Sequence, residues 1–130
     1  MKRASSGLKM RSLLISLLAL LCFNAQAQAI RLLVQSSPLA GFSHYDAAAN
    51  FEAMKVGDVL TLVREADNPH DVNAVRVEWH GVKLGYLPRR ENRAVAMEMD
   101  RGGKIEVRVA CLRQHPNPRE RLLIDVFAVL

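Results

Sequence analysis

The sequence predicts a mainly β fold: a small antiparallel barrel or half-barrel of five to six strands with one helix. Three observations point there. Short apolar runs alternate with a period of two, turn residues separate them, and a single stretch has apolar residues at helical spacing ahead of a Gly-Gly pair.

Fold reasoning starts after residue 29. Lys2, Arg3, Lys9 and Arg11 make a basic start, residues 13–23 (LLISLLALLCF) are apolar, and Ala25-Gln26-Ala27 and Ala27-Gln28-Ala29 are both small-x-small cleavage sites. Residues 1–29 therefore read as an export signal and residues 30–130 as a single domain, periplasmic or secreted after cleavage and without a stable membrane anchor. The apolar run falls short of the roughly 20 residues a spanning helix needs. An uncleaved N-terminal anchor is the other reading of this pattern. Cys22 does not make a lipid attachment site, because Leu20-Leu21 puts bulk where such sites carry a small residue.

Signal removal also changes the charge. The chain has 18 Lys and Arg against 13 Asp and Glu, but four of the basic residues and none of the acidic ones lie in the signal, leaving 14 against 13. The basic pI belongs mostly to the leader and is not a nucleic-acid footprint. Roughly 100 residues support one small core. Cleavage removes Cys22, so Cys111 has no partner for an internal disulfide. It is expected as a buried small hydrophobe within residues 105–112, with intermolecular pairing the alternative.

In chain order, residues 30–35 (IRLLVQ) read as a strand broken by Ser36-Ser37-Pro38. Residues 58–64 (DVLTLVR) follow Gly57 and carry apolar residues on both faces. Residues 74–79 (AVRVEW) alternate, with Val75, Val77 and Trp79 on one face and Arg76 and Glu78 on the other. His80-Gly81 is a two-residue turn, and residues 83–87 (KLGYL) return antiparallel. Pro88 ends that strand. Residues 91–101 (ENRAVAMEMDR) set Ala94, Val95, Met97 and Met99 among charges at helical spacing, and Gly102-Gly103 suits a helix C-terminus. Residues 104–112 alternate again, residues 114–120 are a polar loop, and residues 122–130 form a last apolar strand.

The stretch READNPHDVNAVRV, residues 64–77, is the one candidate site. Asp67-Asn68-Pro69-His70-Asp71 has the composition of a turn between strands, since Asn and Asp bond their own backbone and Pro fixes its φ. The functional reading is that Asp71 and Asn73 follow a kinked loop and converge on one polar ligand, the carboxylate accepting from a sugar hydroxyl and the carboxamide donating or accepting.

Four segments taken together carry a resemblance: GFSHY (41–45), GDVLTLVRE (57–65), NPHDVNAV (68–75) and KLGYLP (83–88). In that order they resemble the HIRAN domain, from about Leu39 to the C-terminus. The resemblance implies a modified OB-like β-barrel. In helicase-associated members the domain captures the free 3′-hydroxyl end of single-stranded DNA, stacking terminal bases on aromatics and bonding the hydroxyl with an acidic residue. Carried over by position, Asp71 would meet the hydroxyl and Asn68 would shape the pocket, making the segment both a turn and a pocket floor. His44 and Tyr45 fall where those members have a tyrosine pair, and His70 replaces a further tyrosine. Ser43 stands where they have an arginine, which removes a phosphate partner. Imidazole stacks with less surface than phenol, and base stacking is worth about 1–3 kcal/mol per base, so the two histidines imply weaker platforms.

Residues 83–121 hold ten basic side chains against five acidic, and residues 28–82 four against seven. The densest part contains Arg89, Arg90 and Arg93, which either follow a phosphate backbone or form a solvated helix face. No phosphate-binding Gly-rich loop and no C-x-x-C pair occurs, so the ATPase and zinc module of the large relatives are missing. His44, His70, His80, His115 and Cys111 match no recognised zinc spacing, so neither a structural zinc nor another cofactor is expected. No nucleophile motif is present, and a hydrolase would have to rest on Asp71 beside His70. The sequence thus reads as a binding protein rather than an enzyme. Its partner is single-stranded nucleic acid or, alternatively, another polar ligand or periplasmic protein segment in the same pocket.

Overall fold

A computed structural model describes residues 10–12 and 28–130. The expected export signal, with Cys22, lies outside these residues except for positions 10–12 and 28–29. Among the described residues no helix is long and apolar enough to cross a membrane.

Six strands form one antiparallel sheet: β1 (Arg31–Pro38), β2 (Val59–Glu65), β3 (Ala74–Trp79), β4 (Val82–Tyr86), β5 (Ile105–Leu112) and β6 (Leu122–Val129), in the order β1-β6-β5-β2-β3-β4. The sheet curls on itself. Just past β1, Ala40 donates to the Tyr86 carbonyl at 2.9 Å and accepts from the Tyr86 N–H at 3.0 Å, closing the barrel between its two outer strands. This settles the choice between barrel and half-barrel in favour of the barrel. Curvature comes from register shifts at Leu33/Gln35, Val77/Glu78 and Val109/Cys111, each an extra residue that bends its strand. β2 also turns the corner, pairing through Val59 and Leu60 with β5 and from Thr61 onward with β3.

Gly85 is required by this closure. A Cβ there would lie 2.2 Å from the Ala40 carbonyl oxygen, so any side chain would force the closing strands apart. The interior is filled by the alternating residues of the strands, among them Val75, Val77, Leu84, Val107, Ile124 and Val126, all essentially inaccessible. Asp58 accepts from the Trp79 indole at 3.2 Å and from the Lys55 N–H at 2.9 Å, tying the start of β2 to the tip of the β3–β4 hairpin. The hairpin turns at His80 and Gly81, whose φ values of 49° and 79° mark a tight two-residue turn.

Within residues 28–130, two helices lie outside the strands. The one-turn helix α1 (Ala47–Asn50) continues as a 3₁₀ turn (Phe51–Ala53) and packs on β4. The sequence offered no periodic signal for so short an element and predicted only the other helix. That helix, α2 (Arg93–Asp100), packs against β3 and β5 with Val95 and Ala96 buried. It begins two residues later than its apolar spacing suggests, because Glu91 still belongs to a turn with its N–H on the Pro88 carbonyl. It ends as expected: the N–H groups of Gly102 and Gly103 bond the Met99 and Glu98 carbonyls.

Two other expectations are corrected. Ser36-Ser37-Pro38 is not a break, because these residues pair with Asp125, Ile124 and Leu123, and Pro38 sits at the strand end where its missing donor is tolerated. Cys111 is half-buried rather than buried, lying where β5 shifts register against β6.

Candidate functional site

The loop between β2 and β3, residues 66–73, is held by side chains at each step. Asn68 accepts from the His70 N–H at 2.9 Å through Oδ1 and donates to Glu65 Oε1 at 3.1 Å through Nδ2. Asp71 repeats the local turn, accepting from the Asn73 N–H at 2.9 Å. Arg64 reaches along the loop to donate to the Val72 and Ala74 carbonyls at 2.8 and 3.1 Å, and its other edge pairs with Asp100 at the end of α2. The turn reading of this segment is therefore correct, and its backbone is fixed on both flanks.

Glu65, the last residue of β2, is the hub. Besides Asn68 it accepts from the Tyr86 hydroxyl at 3.0 Å and pairs with Arg76 at 2.9 Å. Burial works against its charge. The hydrogen bonds from Asn68 and Tyr86 and the charges of Arg76 and Lys83 outweigh it and hold the carboxyl below its ordinary value. The network continues to the 41–45 segment. Tyr86 meets Tyr45 edge to face at 5.7 Å, and the Lys83 ammonium stands 4.1 Å from the Tyr45 ring centroid and 4.6 Å from that of Tyr86. Contact with the Tyr86 hydroxyl holds that ammonium above its ordinary value against a smaller opposing effect of burial. Gly41 allows this approach: its φ is +81°, and a Cβ would meet the Tyr45 ring at 2.9 Å.

On the other side, Asp71 Oδ2 accepts from Asn92 Nδ2 at 2.7 Å, joining the loop to the residue before α2. Asn92 is 1% exposed and its Oδ1 has no partner among the described residues. A buried acceptor left unpaired costs about 1–3 kcal/mol.

Tyr45, Asn68 and Asp71 thus belong to one polar band running from Tyr45 through Tyr86, Glu65 and the loop to Asn92. His44 and His70 are exposed beside it, and their rings make no hydrogen bond to the described residues. Asn73 is half-buried and joins the band through its backbone. Asp71 does not bond His70, so the geometry makes no acid–base pair of the two. Among the described residues no three His, Cys, Asp or Glu side chains gather to hold a metal.

The arginines divide. Arg89 and Arg90 line a cleft of about 570 Å³ together with Pro38, Leu39, Ala40 and Pro88. Arg93 lies on an adjoining shallow surface with Arg90, Glu91, Ala94 and Met97. Arg119, on the 3₁₀ turn Pro118–Glu120, completes the cleft from a loop distant in sequence. No local pattern singles out Arg119, since its place depends on how the β5–β6 loop folds back. Among the described residues, none of Arg89, Arg90, Arg93 and Arg119 forms a salt bridge, whereas Arg31, Arg64, Arg76, Arg101, Arg108 and Arg113 all do.

A small barrel closed beside an N-P-x-D-x-N-A loop and a G-Y-L-P strand is specific enough to compare with known families, and the HIRAN domain model matches residues 32–130. The chain belongs to the HIRAN domain family. Among solved structures it is similar to a protein from Lactobacillus plantarum, at 26% identity and a TM-score of 0.68, over 78% of this chain and 98% of that one. It also shares its fold with the HIRAN domain of human HLTF, at 20% identity and a TM-score of 0.54, over 80% of this chain and 79% of that one. No curated protein matches the sequence. In this barrel Gly85 lies at the closure, Tyr86 and Glu65 in the hub, and Asn68 and Asp71 in the fixed loop.

Proposed function

We propose that the protein is an exported, non-enzymatic HIRAN-domain protein that binds the 3′ ends of single-stranded nucleic acid. The observation that carries this reading is the fixed Asp71 carboxylate with acceptor sites to spare, supported by a separate cleft whose arginines lack carboxylate partners among the described residues. A carboxylate offers about four acceptor sites, and Asp71 uses two of them within the fold, leaving two for a ligand hydroxyl. Tyr45, 40% exposed and set against Tyr86, supplies a face for a terminal base, with His44 and His70 as weaker platforms. Asn68 and Asn73 shape the loop around the hydroxyl. Arg89, Arg90 and Arg119 take phosphates in the cleft, with Arg93 beyond it.

Fluorescence anisotropy with a short labelled single strand tests this. The reading expects a 3′-hydroxyl end to bind more tightly than a dideoxy end, and Asp71→Ala to erase the difference. Equal binding of both ends by the unaltered protein would sink it.

The near balance of 14 basic and 13 acidic residues outside the leader favours a second reading, a periplasmic module that places another polar ligand or a protein segment in the same pocket. That reading expects no dependence on strand end and little on salt.

A further inference from the structure

We infer that Asn92 is a positioning residue for end recognition: it fixes the Asp71 carboxylate so that its remaining acceptor sites face a strand's terminal hydroxyl. The inference rests on the proposed role of Asp71 and adds a residue to it.

Asn92 occupies the N-cap position of α2, where asparagine is favoured because its side chain bonds the first free N–H groups of a helix. Here it makes no such bond. The side chain is buried, its carboxamide nitrogen donates to Asp71 Oδ2 at 2.7 Å, and its carbonyl oxygen bonds nothing among the described residues. A buried amide with an orphaned acceptor is worse for the fold than an apolar residue of similar volume, so neither capping nor packing accounts for it. What remains is its one partner. Asn73 N–H fixes one oxygen of Asp71 from within the loop, and Asn92 fixes the other from the helix. With both oxygens held, the carboxylate cannot rotate, and a ligand hydroxyl meets an acceptor already oriented. Asn92 does not touch the ligand, since it is 1% exposed.

The test is the ratio of affinities for 3′-hydroxyl and dideoxy strands, measured with thermal stability for Asn92→Leu, Asp71→Ala and the double variant. Asn92→Ser, too short to reach Asp71 yet suited to a helix start, serves if leucine does not fold. The inference expects Asn92→Leu to lower the ratio about tenfold, the size of one hydrogen bond to a charged group, while binding of the dideoxy strand and the melting temperature hold or rise. In the Asp71→Ala background the same change should leave the ratio where it is, because Asn92 acts only through Asp71. An unaltered ratio in Asn92→Leu, with the parent protein still preferring the hydroxyl, overturns the inference alone. A parent ratio of one overturns the proposed function and the inference with it.

Discussion

The β2–β3 loop and the arginine cleft lie on the same barrel and are built on opposite terms. Asn68 and Asp71 in the loop, and Arg64 and Glu65 at the end of β2 beside it, are all tied to named partners within the fold. In the cleft, Arg89, Arg90 and Arg119 have no carboxylate among the described residues. The first arrangement lowers the entropy lost on binding and suits a demand for geometry. The second leaves charge available to any phosphate that comes near and suits strength without selectivity. Changes in the loop should therefore disturb stability and selectivity, and changes in the cleft should disturb affinity and its salt dependence.

Glu65→Ala gives the largest expected effect, because it removes the shared acceptor of Asn68, Tyr86 and Arg76 at once. Urea denaturation should show a loss of about 2 kcal/mol, within the range for hydrogen bonds to a charged group and held down by partial solvent access. A loss below about 0.5 kcal/mol would mean that the loop is not held through Glu65. Next is Tyr45→Ala, expected to weaken single-strand binding by about 1–3 kcal/mol, the range for one stacked base, with end preference retained. If preference disappears instead, Tyr45 belongs functionally with Asp71.

Arg119→Ala should cost less in affinity and nothing measurable in stability, within about 0.5 kcal/mol, as expected of an exposed charge with no carboxylate partner among the described residues. Its signature is a salt slope shallower by about 0.7 for a single strand, one phosphate contact removed. An unchanged slope would remove Arg119 from the cleft's function. The smallest effect concerns pH. The Glu65 carboxyl is held below its ordinary 4.5 in the folded state, so its contribution is present above that value and is lost as pH falls through the folded one. The stability difference between the parent protein and Glu65→Gln should therefore be flat above about pH 6 and shrink in acid. A difference that grows in acid would reverse the sign.

Much of the barrel was legible before the structure. Residues 74–79 alternate strictly and His80-Gly81 is a short turn, so the β3–β4 hairpin follows from local pattern, and Gly102-Gly103 marks the end of α2 for the same reason. The end of β1 was not legible, because Ser36-Ser37-Pro38 has turn composition and becomes strand only through β6. In the candidate site, Asn68 entered only through the family resemblance, whereas Asp71 and Asn73 stood out as polar residues after a kinked loop. Three parts did not. Glu65 reads as an ordinary strand end, and its role comes from Tyr86 and Arg76 on neighbouring strands. Asn92 reads as a helix cap and is turned away from that task, while Arg119 reaches the cleft only through a long-range fold. Local pattern shows which residues can turn a chain, whereas charge pairing is decided across strands.

The most direct test is a salt titration of both strand ends on the unaltered protein. Affinities for the 3′-hydroxyl and dideoxy strands should fall together as salt rises while their ratio stays constant, because the arginines and Asp71 do separate work. A ratio that collapses with salt, or affinities that do not respond to it, would contradict the division between cleft and loop.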